Sequence, residues 1–345
     1  MKISCLICAY NTDKKFLKEC IESLLNQQYP VYEILIVDDN SEYDVKTFIR
    51  ETFINNEIIK VFRNDRNEGV AYSRNKLFSL ATGDVFAIMD SDDKSTPDRM
   101  LREVNYLKSH KRCNVVSSQM IVFDETGILY KTNIRYPKSD RKAAAMLFWD
   151  NGKTFLHGPA MLRREFIMKN SIKYGESYKK ASDYSLWVNC ALFSPHFKLL
   201  KEYLYFYRVH GNQITTKGKN DQIFYSNRIC LDQLSKFGIV PTAEEEKIHL
   251  SIKDAEPNYS LSTFYCWCKR LIKSNKDSRI FCHSFFKTEV KYRMLKIVKK
   301  SKEHVKKIPY LIWCLSPGVM YKLCGVLVCK ILRVKNVLIV NHGKQ

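Results

Sequence analysis

Apolar runs of strand length alternate with stretches of helical periodicity through residues 2–123 of this chain. The strand-like runs are "KISCLICAY", "YEILIVDD", "IIKVF", "DVFAIMD" and "NVVSSQMIVF". Between them, "TDKKFLKECIESLLNQQY", "VAYSRNKLFSLATG" and "STPDRMLREVNYLKSH" repeat apolar residues at helical spacing. In the third stretch, a Ser/Thr cap followed by Pro97 marks the helix start. This alternation predicts an α/β fold with a mostly parallel, doubly wound sheet.

Polar clusters follow three of the predicted strands. The motif "AYN" ends the first strand, "DDNS" ends the second and "DSDD" ends the fourth. Because ligands of doubly wound sheets bind outside the carboxyl ends of the strands, these clusters predict the binding edge. The chain has neither a G-x-G-x-x-G motif nor a P-loop, which argues against a dinucleotide-binding or P-loop enzyme.

The "DSDD" cluster is unusual because a buried strand, Val85 to Met89, runs directly into Asp90, Asp92 and Asp93. Carboxylates this close repel one another, and each raises the pKa of its neighbour. The cluster fits a solvated loop, a helix cap or a divalent-cation site. A cation would remove the repulsion, and Mg²⁺ or Mn²⁺ takes one or two carboxylates together with substrate phosphates.

Taken in order, "SCLICAYN", "YEILIVDDNS", "NEGVAYSRNKLFSLATGD", "IMDSDD" and "PDRM" resemble an inverting family-2 glycosyltransferase of the GT-A fold, which is Rossmann-like. The resemblance runs from about residue 2 to residue 215. It implies a nucleotide-sugar donor of the UDP type, Mn²⁺ or Mg²⁺ as cofactor, and transfer to an acceptor hydroxyl. It also implies a saccharide acceptor, lipid-linked in the polysaccharide and lipooligosaccharide enzymes.

The resemblance assigns nucleotide-binding roles to the first two strand ends. Asp39 matches the carboxylate that accepts the uracil N3–H, a donor that cytosine lacks. Tyr10 and Asn11 match the first-strand loop that contacts the base. For Asp38 and Asn40, a turn or capping role and a functional role both stay open.

Further roles follow from the "SRN", "DSDD" and "YRVHGNQIT" motifs. Arg74 resembles a cation near the nucleotide. Asp90 and Asp92 resemble the D-x-D pair, in which the first carboxylate faces the ribose and the second binds the metal, so both are candidate metal-site residues. His210, in a motif like the family's "Y-R-x-H" loop, is expected to reach the metal or the diphosphate.

An inverting transfer also needs a general base, which takes the proton of the attacking hydroxyl. Asp183 in "KKASDYSLWVNCAL" resembles the Asp of the family's "E-D-x-x-L-W" element and is the candidate base. Ser182 and Ser185 stand where acidic residues are common, which leaves acceptor details open. The alternative for Asp183 is a simple helix N-cap. His157 is either an acceptor contact or a structural histidine.

The C-terminal part is strongly basic. The chain carries a net charge of +21, and residues 216–345 hold 25 Lys and Arg against 10 Asp and Glu. We therefore expect a catalytic domain over residues 1–225 and a basic, mainly helical region over 226–345. Such a charge predicts an anionic partner: nucleic acid, an anionic membrane face or a phosphorylated substrate.

A lysine-rich helix and a short apolar segment lie next to each other in this region. The helix has an apolar face formed by Phe281, Phe285, Val290, Met294, Ile297 and Val298. The uncharged run from Ile308 to Tyr321 is too short for a membrane span and is broken by prolines. This pairing predicts binding to an anionic membrane surface. A helical subdomain with a solvated basic face is the alternative.

Two other functional classes compete with the enzyme. A nucleic-acid-binding protein fits the charge, but no recognised nucleic-acid module accompanies the lysines. A non-catalytic nucleotide-sugar-binding scaffold is disfavoured because the expected catalytic carboxylates are present. Twelve cysteines without a disulfide framework indicate reduced thiols. We therefore expect a cytoplasmic enzyme, peripheral on the inner face of the cell membrane.

Overall fold

The computed structural model describes residues 1–135, 137, 140–149, 155–193, 196–211, 219–302, 307–317 and 319–320. The chain forms two compact units, Met1–Ile229 and Cys230–Gln345. The sequence predicts a division near residue 225, within the same helix.

The first unit is built on nine strands and eight helices among its described residues. The strands are β1 (Ile3–Ala9), β2 (Glu33–Asp38), β3 (Ile59–Arg63), β4 (Val85–Asp90), β5 (Lys94–Ser95), β6 (Cys113–Asp124), β7 (Gly127–Lys131), β8 (Met161–Arg163) and β9 (His196–Arg208). The helices are α1 (Lys14–Leu25), α2 (Val45–Thr52), α3 (Val70–Leu80), α4 (Arg99–Ser109), α5 (Asp140–Met146), α6 (Arg164–Lys169), α7 (Ser182–Ala191) and α8 (Lys219–Lys236), which continues into the second unit.

One sheet with the strand order β3-β2-β1-β4-β8-β6-β9-β5 organises this unit, and β7 pairs with β6. The strands β3, β2, β1 and β4 are parallel, as expected from the helices that connect them. Beyond β4 the sheet is mixed, because β8 runs antiparallel to both β4 and β6. The predicted α/β class is confirmed, with the parallel strands concentrated on the side that carries the polar strand ends.

The core of the first unit lies between this parallel half of the sheet and α1 and α4. Its members are fully buried apolar side chains: Ile3, Cys5, Ile7, Leu17, Ile21, Leu24, Ile34, Ile36, Val85, Ala87, Met100, Val104 and Leu107. Burial of a side chain of this size stabilises the fold by about 1.5–3 kcal/mol. The strand ends are thus fixed by a large apolar core directly beneath them.

The start of α4 differs from the sequence prediction. The helix begins at Arg99 after Asp98, and no side chain caps it. The predicted Ser/Thr cap is wrong because Ser95 is part of β5, where it pairs with Tyr205 of β9. The backbone must therefore turn between Ser95 and Arg99 before the helix can begin.

The described part of the second unit is helical. After α8 come α9 (Ala243–Asp254), α10 (Leu261–Ser278), α11 (His283–Lys300) and α12 (Ile308–Cys314). The apolar face predicted for α11 is mostly buried: Val290, Met294, Ile297 and Val298 are fully covered within this unit. The helix therefore packs as a core element, as the helical-subdomain alternative expects. Residues 321–333 of the predicted membrane segment lie outside the described residues. None of the helices described combines the length and apolarity that crossing a bilayer requires.

Candidate active site

Sheet register brings three polar strand ends to one edge. Ala9 of β1 pairs with Asp38 of β2, and Cys8 of β1 pairs with Asp90 of β4. Because the three strands are parallel and end together, the residues that follow them are neighbours. Two hydrogen bonds connect the loops that follow these strands. Thr12 Oγ1 lies 2.7 Å from Ser91 Oγ, and the Asn11 N–H donates to Ser41 Oγ at 2.9 Å.

Asp39 is a buried carboxylate that holds the start of α3. It accepts hydrogen bonds from Asn64 Nδ2 at 2.7 Å, from the Glu68 N–H at 3.0 Å and from the Gly69 N–H at 2.8 Å. Gly69 caps α3 with a φ of 91°, a conformation that favours glycine. A carboxylate has about four acceptor positions, so Asp39 has capacity for one further donor.

The first strand end presents one exposed ring and one anchored amide. The ring of Tyr10 is 51% exposed. Asn11 adopts a left-handed conformation with a φ of 49°, and its Oδ1 accepts the Glu42 N–H at 2.8 Å. Asn11 is thus held in place by the second strand-end loop, whereas Tyr10 is accessible to a flat ligand.

Asp38 and Asn40 have structural roles in the same loop. Asp38 accepts the Ser41 N–H at 2.9 Å and pairs with Arg63 at 2.6 Å. Asn40 has a left-handed φ of 66° and accepts a hydrogen bond from Arg63 at 2.9 Å. These contacts favour the turn and capping interpretation for both residues.

Arg74 of α3 connects the fourth strand end with α7. Its Nη2 donates to Asp90 Oδ1 at 2.8 Å and its Nη1 donates to Ser182 Oγ at 3.0 Å. The guanidinium also lies over the ring of Tyr174, 5.4 Å from its centroid. Ser182, which stands where the family often has a Glu, is thus an acceptor for Arg74. The Arg74 guanidinium therefore connects the candidate nucleotide-sugar site to the helix that carries the candidate base.

Asp183 lies in the first turn of α7 but does not cap it. The N-cap is Ala181, which has a left-handed φ of 56° and no side-chain cap. Asp183 is thus not the N-cap residue itself, but its carboxylate accepts a hydrogen bond from the Tyr184 N–H in the same turn. Burial raises the pKa of Asp183 above its ordinary value of 3.8, against the hydrogen bond from the Tyr184 N–H and the charge of Arg74. A carboxylate whose charged form is disfavoured is a stronger proton acceptor, which suits a general base.

The "DSDD" turn connects β4 to β5 and is hydrogen-bonded to Arg208 at the end of β9. Asp92 Oδ2 lies 2.9 Å from His210 Nε2, just beyond the end of β9. Asp93 is fully buried and accepts the Arg208 N–H at 2.7 Å. Burial raises the pKa of Asp93 well above 3.8, and the charges of Asp92 and Asp90 raise it further. The pKa of Asp90 is also raised, by burial first, while Arg74 opposes the shift and Asp92 adds to it. The repulsion expected from the sequence is thus present.

The donor set of this turn suits a divalent cation that is shared with a substrate. No group of three His, Cys, Asp or Glu side chains within the described ranges is arranged to hold a metal ion by itself. Asp92 and His210 present an oxygen and a nitrogen 2.9 Å apart. Adjacent ligands of an octahedral ion at about 2.1 Å lie about 3 Å from each other, so the pair fits two neighbouring positions. Substrate phosphates and water then complete the shell. Whether Asp90 also binds the metal stays a prediction.

Two further residues belong to the arrangement, and His157 contacts it through Tyr174. The Tyr205 hydroxyl accepts the Asp90 N–H at 3.2 Å, and Arg208 contacts the "DSDD" turn. Arg208 lies within the "Y-R-x-H" motif, so the sequence held a signal for it, whereas nothing in the sequence marks Tyr205. His157 Nε2 lies 3.0 Å from the Tyr174 hydroxyl, and burial lowers its pKa. These contacts favour the structural role for His157.

The sheet resembles that of residues 1–349 of TarS from S. aureus, solved in complex with UDP-GlcNAc: TM-score 0.55, 18% identity, 87% of this chain and 89% of that one. This likeness shows that the chain has the GT-A fold.

Comparisons of the sequence point to glycosyltransferases as well. The family model "Glycosyl transferase family 2" matches residues 4–171. An uncharacterised glycosyltransferase of Methanocaldococcus jannaschii is 30% identical over 208 residues, 60% of this chain and 70% of the relative. The poly(ribitol-phosphate) beta-glucosyltransferase of Bacillus spizizenii is 27% identical over 217 residues, 61% of this chain and 32% of the relative. The chain belongs to glycosyl transferase family 2 and is a glycosyltransferase.

Proposed function

We propose that this enzyme transfers a sugar from a UDP-sugar to an acceptor hydroxyl with inversion at the anomeric carbon, in the synthesis of a cell-surface polysaccharide. The observation that carries the proposal is the position of Arg74, which links Asp90 of the D-x-D pair to the first turn of α7, where Asp183 lies. A donor site and a proton acceptor on one edge are what a single-displacement transfer needs.

The donor is proposed to lie across the three strand ends. Asp39 has capacity for one more hydrogen bond, and the uracil N3–H is a suitable donor for it. The exposed ring of Tyr10 offers a flat apolar surface to the base. Arg74 supplies positive charge next to Asp90. The complex of TarS with UDP-GlcNAc supports the choice of a UDP-sugar, because that protein shares the fold.

Mn²⁺ or Mg²⁺ is proposed to be held by Asp92 and His210, with the donor diphosphate providing further oxygens. When bound, such a cation stabilises the negative charge that develops on the leaving UDP. The chain's own contribution is to hold the two ligands 2.9 Å apart before the donor arrives. The positive charge of the bound cation would also offset the repulsion between the Asp90 and Asp92 carboxylates.

Asp183 is proposed to take the proton of the acceptor hydroxyl as its oxygen attacks the anomeric carbon. The attacking oxygen forms the new glycosidic bond while the bond from the anomeric carbon to UDP breaks. Since burial raises the pKa of Asp183, its basicity is increased, while the charge of Arg74 favours the ionised form that can take up the proton. Asp183 therefore meets both requirements of a base.

The acceptor is proposed to be a saccharide, lipid-linked, at the cytoplasmic face of the membrane. The relative that acts on poly(ribitol phosphate) supports a cell-surface polymer as the destination. The basic second unit supports an anionic surface as the place of reaction, since its lysines attract acidic lipids.

We propose that α12 provides the membrane contact. Ile308 is 61% exposed, Ile312 66% and Leu315 50%. Their spacing of four and three residues places them on one side. Trp313 faces inward instead, with its ring 5.1 Å from that of Tyr265. The apolar stripe follows exposed lysines at positions 299, 300 and 302, which suits an interfacial contact with anionic headgroups.

The chemistry is tested by screening UDP-sugars and dTDP-sugars for donor hydrolysis with Mn²⁺ and with EDTA. We expect release of UDP from at least one UDP-sugar, loss of release in EDTA, and weaker UDP binding by Asp92→Asn in Mn²⁺. Hydrolysis that continues unchanged in EDTA contradicts the metal assignment. Hydrolysis of dTDP-sugars alone contradicts the choice of UDP.

The membrane contact is tested by vesicle co-sedimentation across a salt series. Replacing Ile308, Ile312 and Leu315 by Ser should weaken binding to anionic and neutral vesicles alike. Val240→Ser is the matched control, because Val240 is 87% exposed in the same unit but lies outside α12. Replacing the three exposed lysines by Gln should weaken binding to anionic vesicles only, by about 1 kcal/mol each. A native protein that ignores anionic vesicles at low salt contradicts the proposal.

A further inference from the structure

Arg208 lies at the end of β9 and contacts both the "DSDD" turn and α1. Its Nε donates to the carbonyl oxygen of Asp92 at 2.7 Å, and its backbone N–H donates to Asp93 Oδ1 at 2.7 Å. Its Nη2 donates to Glu19 Oε2 of α1 at 2.6 Å. One residue therefore links three separate segments of the chain at the place where the cation is proposed to bind.

We propose that Arg208 is a positioning residue, which clamps the Asp90–Asp93 turn so that the Asp92 carboxylate is held opposite His210. The inference rests on the proposed function for its effect on nucleotide binding. It adds a residue that touches neither the substrate nor the cation and acts through Asp92.

Burial and stacking make this clamp rigid. Arg208 is only 7% exposed. Its guanidinium lies between two aromatic rings, 4.1 Å from the centroid of Phe16 and 4.7 Å from that of Phe123. Such stacking fixes the plane of the guanidinium, and the fixed plane sets the direction of its donors. The turn can therefore shift only if a buried cation loses its hydrogen bonds.

Glu19 anchors the clamp on the other side. Burial acts to raise the pKa of Glu19, but its hydrogen bond to Arg208 and the charges of Arg208 and Lys94 lower it overall. Lys94 lies 3.5 Å from the same Glu19 oxygen and belongs to β5, directly after the turn. The pair Arg208–Glu19 is thus a charge-assisted contact within a partly buried network, which is stronger than a neutral one.

The spacing along β9 explains why the clamp matters for the site. Arg208 holds the backbone of Asp92, and His210, two residues later, lies 2.9 Å from the Asp92 side chain. One short segment therefore fixes both the backbone and the partner of the proposed metal ligand. A small displacement of the turn would change the separation of the two ligands.

Arg208→Lys is the informative change, because lysine keeps the charge but replaces the planar fork with a single ammonium group. Two measurements are made on the full chain: hydrogen exchange of the peptide covering Asp90–Ser95, and calorimetric binding of UDP with Mn²⁺. Arg163→Lys is the matched control. It also loses arginine hydrogen bonds to backbone carbonyls, those of Cys113 and Leu107, but it pairs with Val85 at the opposite end of β4.

We expect Arg208→Lys to speed exchange of this peptide at least tenfold and to weaken Mn²⁺-supported UDP binding by about 10- to 100-fold, the range for a charged hydrogen bond. In an Asp92→Asn background the same change should weaken UDP binding less than twofold, because the effect passes through Asp92. Arg163→Lys should change neither the exchange rate of the Asp90–Ser95 peptide nor the affinity for UDP.

Unchanged exchange of the Asp90–Ser95 peptide overturns the clamp. Faster exchange with native UDP binding, or an effect that adds fully to Asp92→Asn, overturns the positioning role and leaves a structural contact. A native protein that binds no UDP with Mn²⁺ overturns the proposed function and with it the positioning role, while the exchange result still decides separately whether the clamp exists.

Discussion

Replacing Asp183 by Asn removes the proposed base while keeping the size of the side chain. General base catalysis contributes about 10²–10⁴-fold, so the transfer rate should fall by that factor, about 3–5 kcal/mol in the barrier. Donor binding should be kept, since Arg74 reaches Asp90 and Ser182 rather than Asp183 by hydrogen bonds. The loss of a carboxylate from the first helical turn costs about 0.3–1 kcal/mol of stability, so the fold should persist.

The pH dependence of kcat/KM gives a second, independent test of this prediction. The base works only when ionised, so kcat/KM should fall on the acid side as Asp183 takes up a proton. Burial raises its pKa, which places that acid limb above pH 3.8, and Arg74 limits the shift. Arg74→Met removes the opposing charge, so the limb should move to higher pH whatever the absolute rate.

The assay is steady-state transfer to a saccharide acceptor from pH 4.5 to 9, with UDP binding measured alongside. Glu246→Gln is the matched control, because Glu246 is also a first-turn carboxylate, of α9. Transfer by Asp183→Asn at the native rate refutes the reasoning. So does a large rate loss accompanied by an equal loss of UDP binding, since Asp183 would then act on the donor.

Two predictions concern stability. Arg99 and Glu103 form a fully buried ion pair, so Glu103→Ala should lower the free energy of unfolding by about 3–5 kcal/mol. Arg102→Ala, on the exposed side of the same helix, should lower it by less than about 1 kcal/mol. Equal shifts of the thermal midpoint in the two variants would refute this prediction. Because the pKa of Asp93 is raised by burial and by Asp92, the folded protein binds more protons than the unfolded chain, and its stability in EDTA should fall as the pH rises above 3.8 through the raised pKa. The isosteric Asp93→Asn should flatten that fall above pH 3.8, and an unchanged slope would count against the stated cause.

The sequence predicted the parallel half of the sheet because its signals are local. Apolar runs such as Val85–Met89 and the helical periodicities between them are complete within a few residues, and parallel strands must then end at a common edge. That is why Asp39, Asp90 and the first-strand loop could be expected to lie together.

Long-range partners could not be read in the same way. The contact between Arg74 and Ser182 joins positions 108 residues apart, and that between Arg208 and Glu19 joins positions 189 apart. Ser95 is likewise drawn from a predicted helix cap into β5 by its pairing with β9. In each case the partner of the residue is determined by tertiary packing, and the local sequence does not indicate which partner that is.

The basic tail illustrates the same limit. The pattern of α11 is compatible with either a membrane face or a packed face, and its apolar residues are in fact buried within the second unit. The exposed apolar side belongs to α12 instead, where Ile308, Ile312 and Leu315 face outward while Trp313 packs on Tyr265. Periodicity identifies a face but does not name what covers it.

The most direct test of the central claim, a single displacement at the anomeric carbon, is the configuration of the sugar that the enzyme first releases. Real-time proton NMR of donor hydrolysis with Mn²⁺ and an α-linked UDP-sugar reads this without knowledge of the natural acceptor. We expect the β anomer to form first and Asp183→Asn to slow its formation. Release of the α anomer first, before mutarotation, would contradict the proposed mechanism.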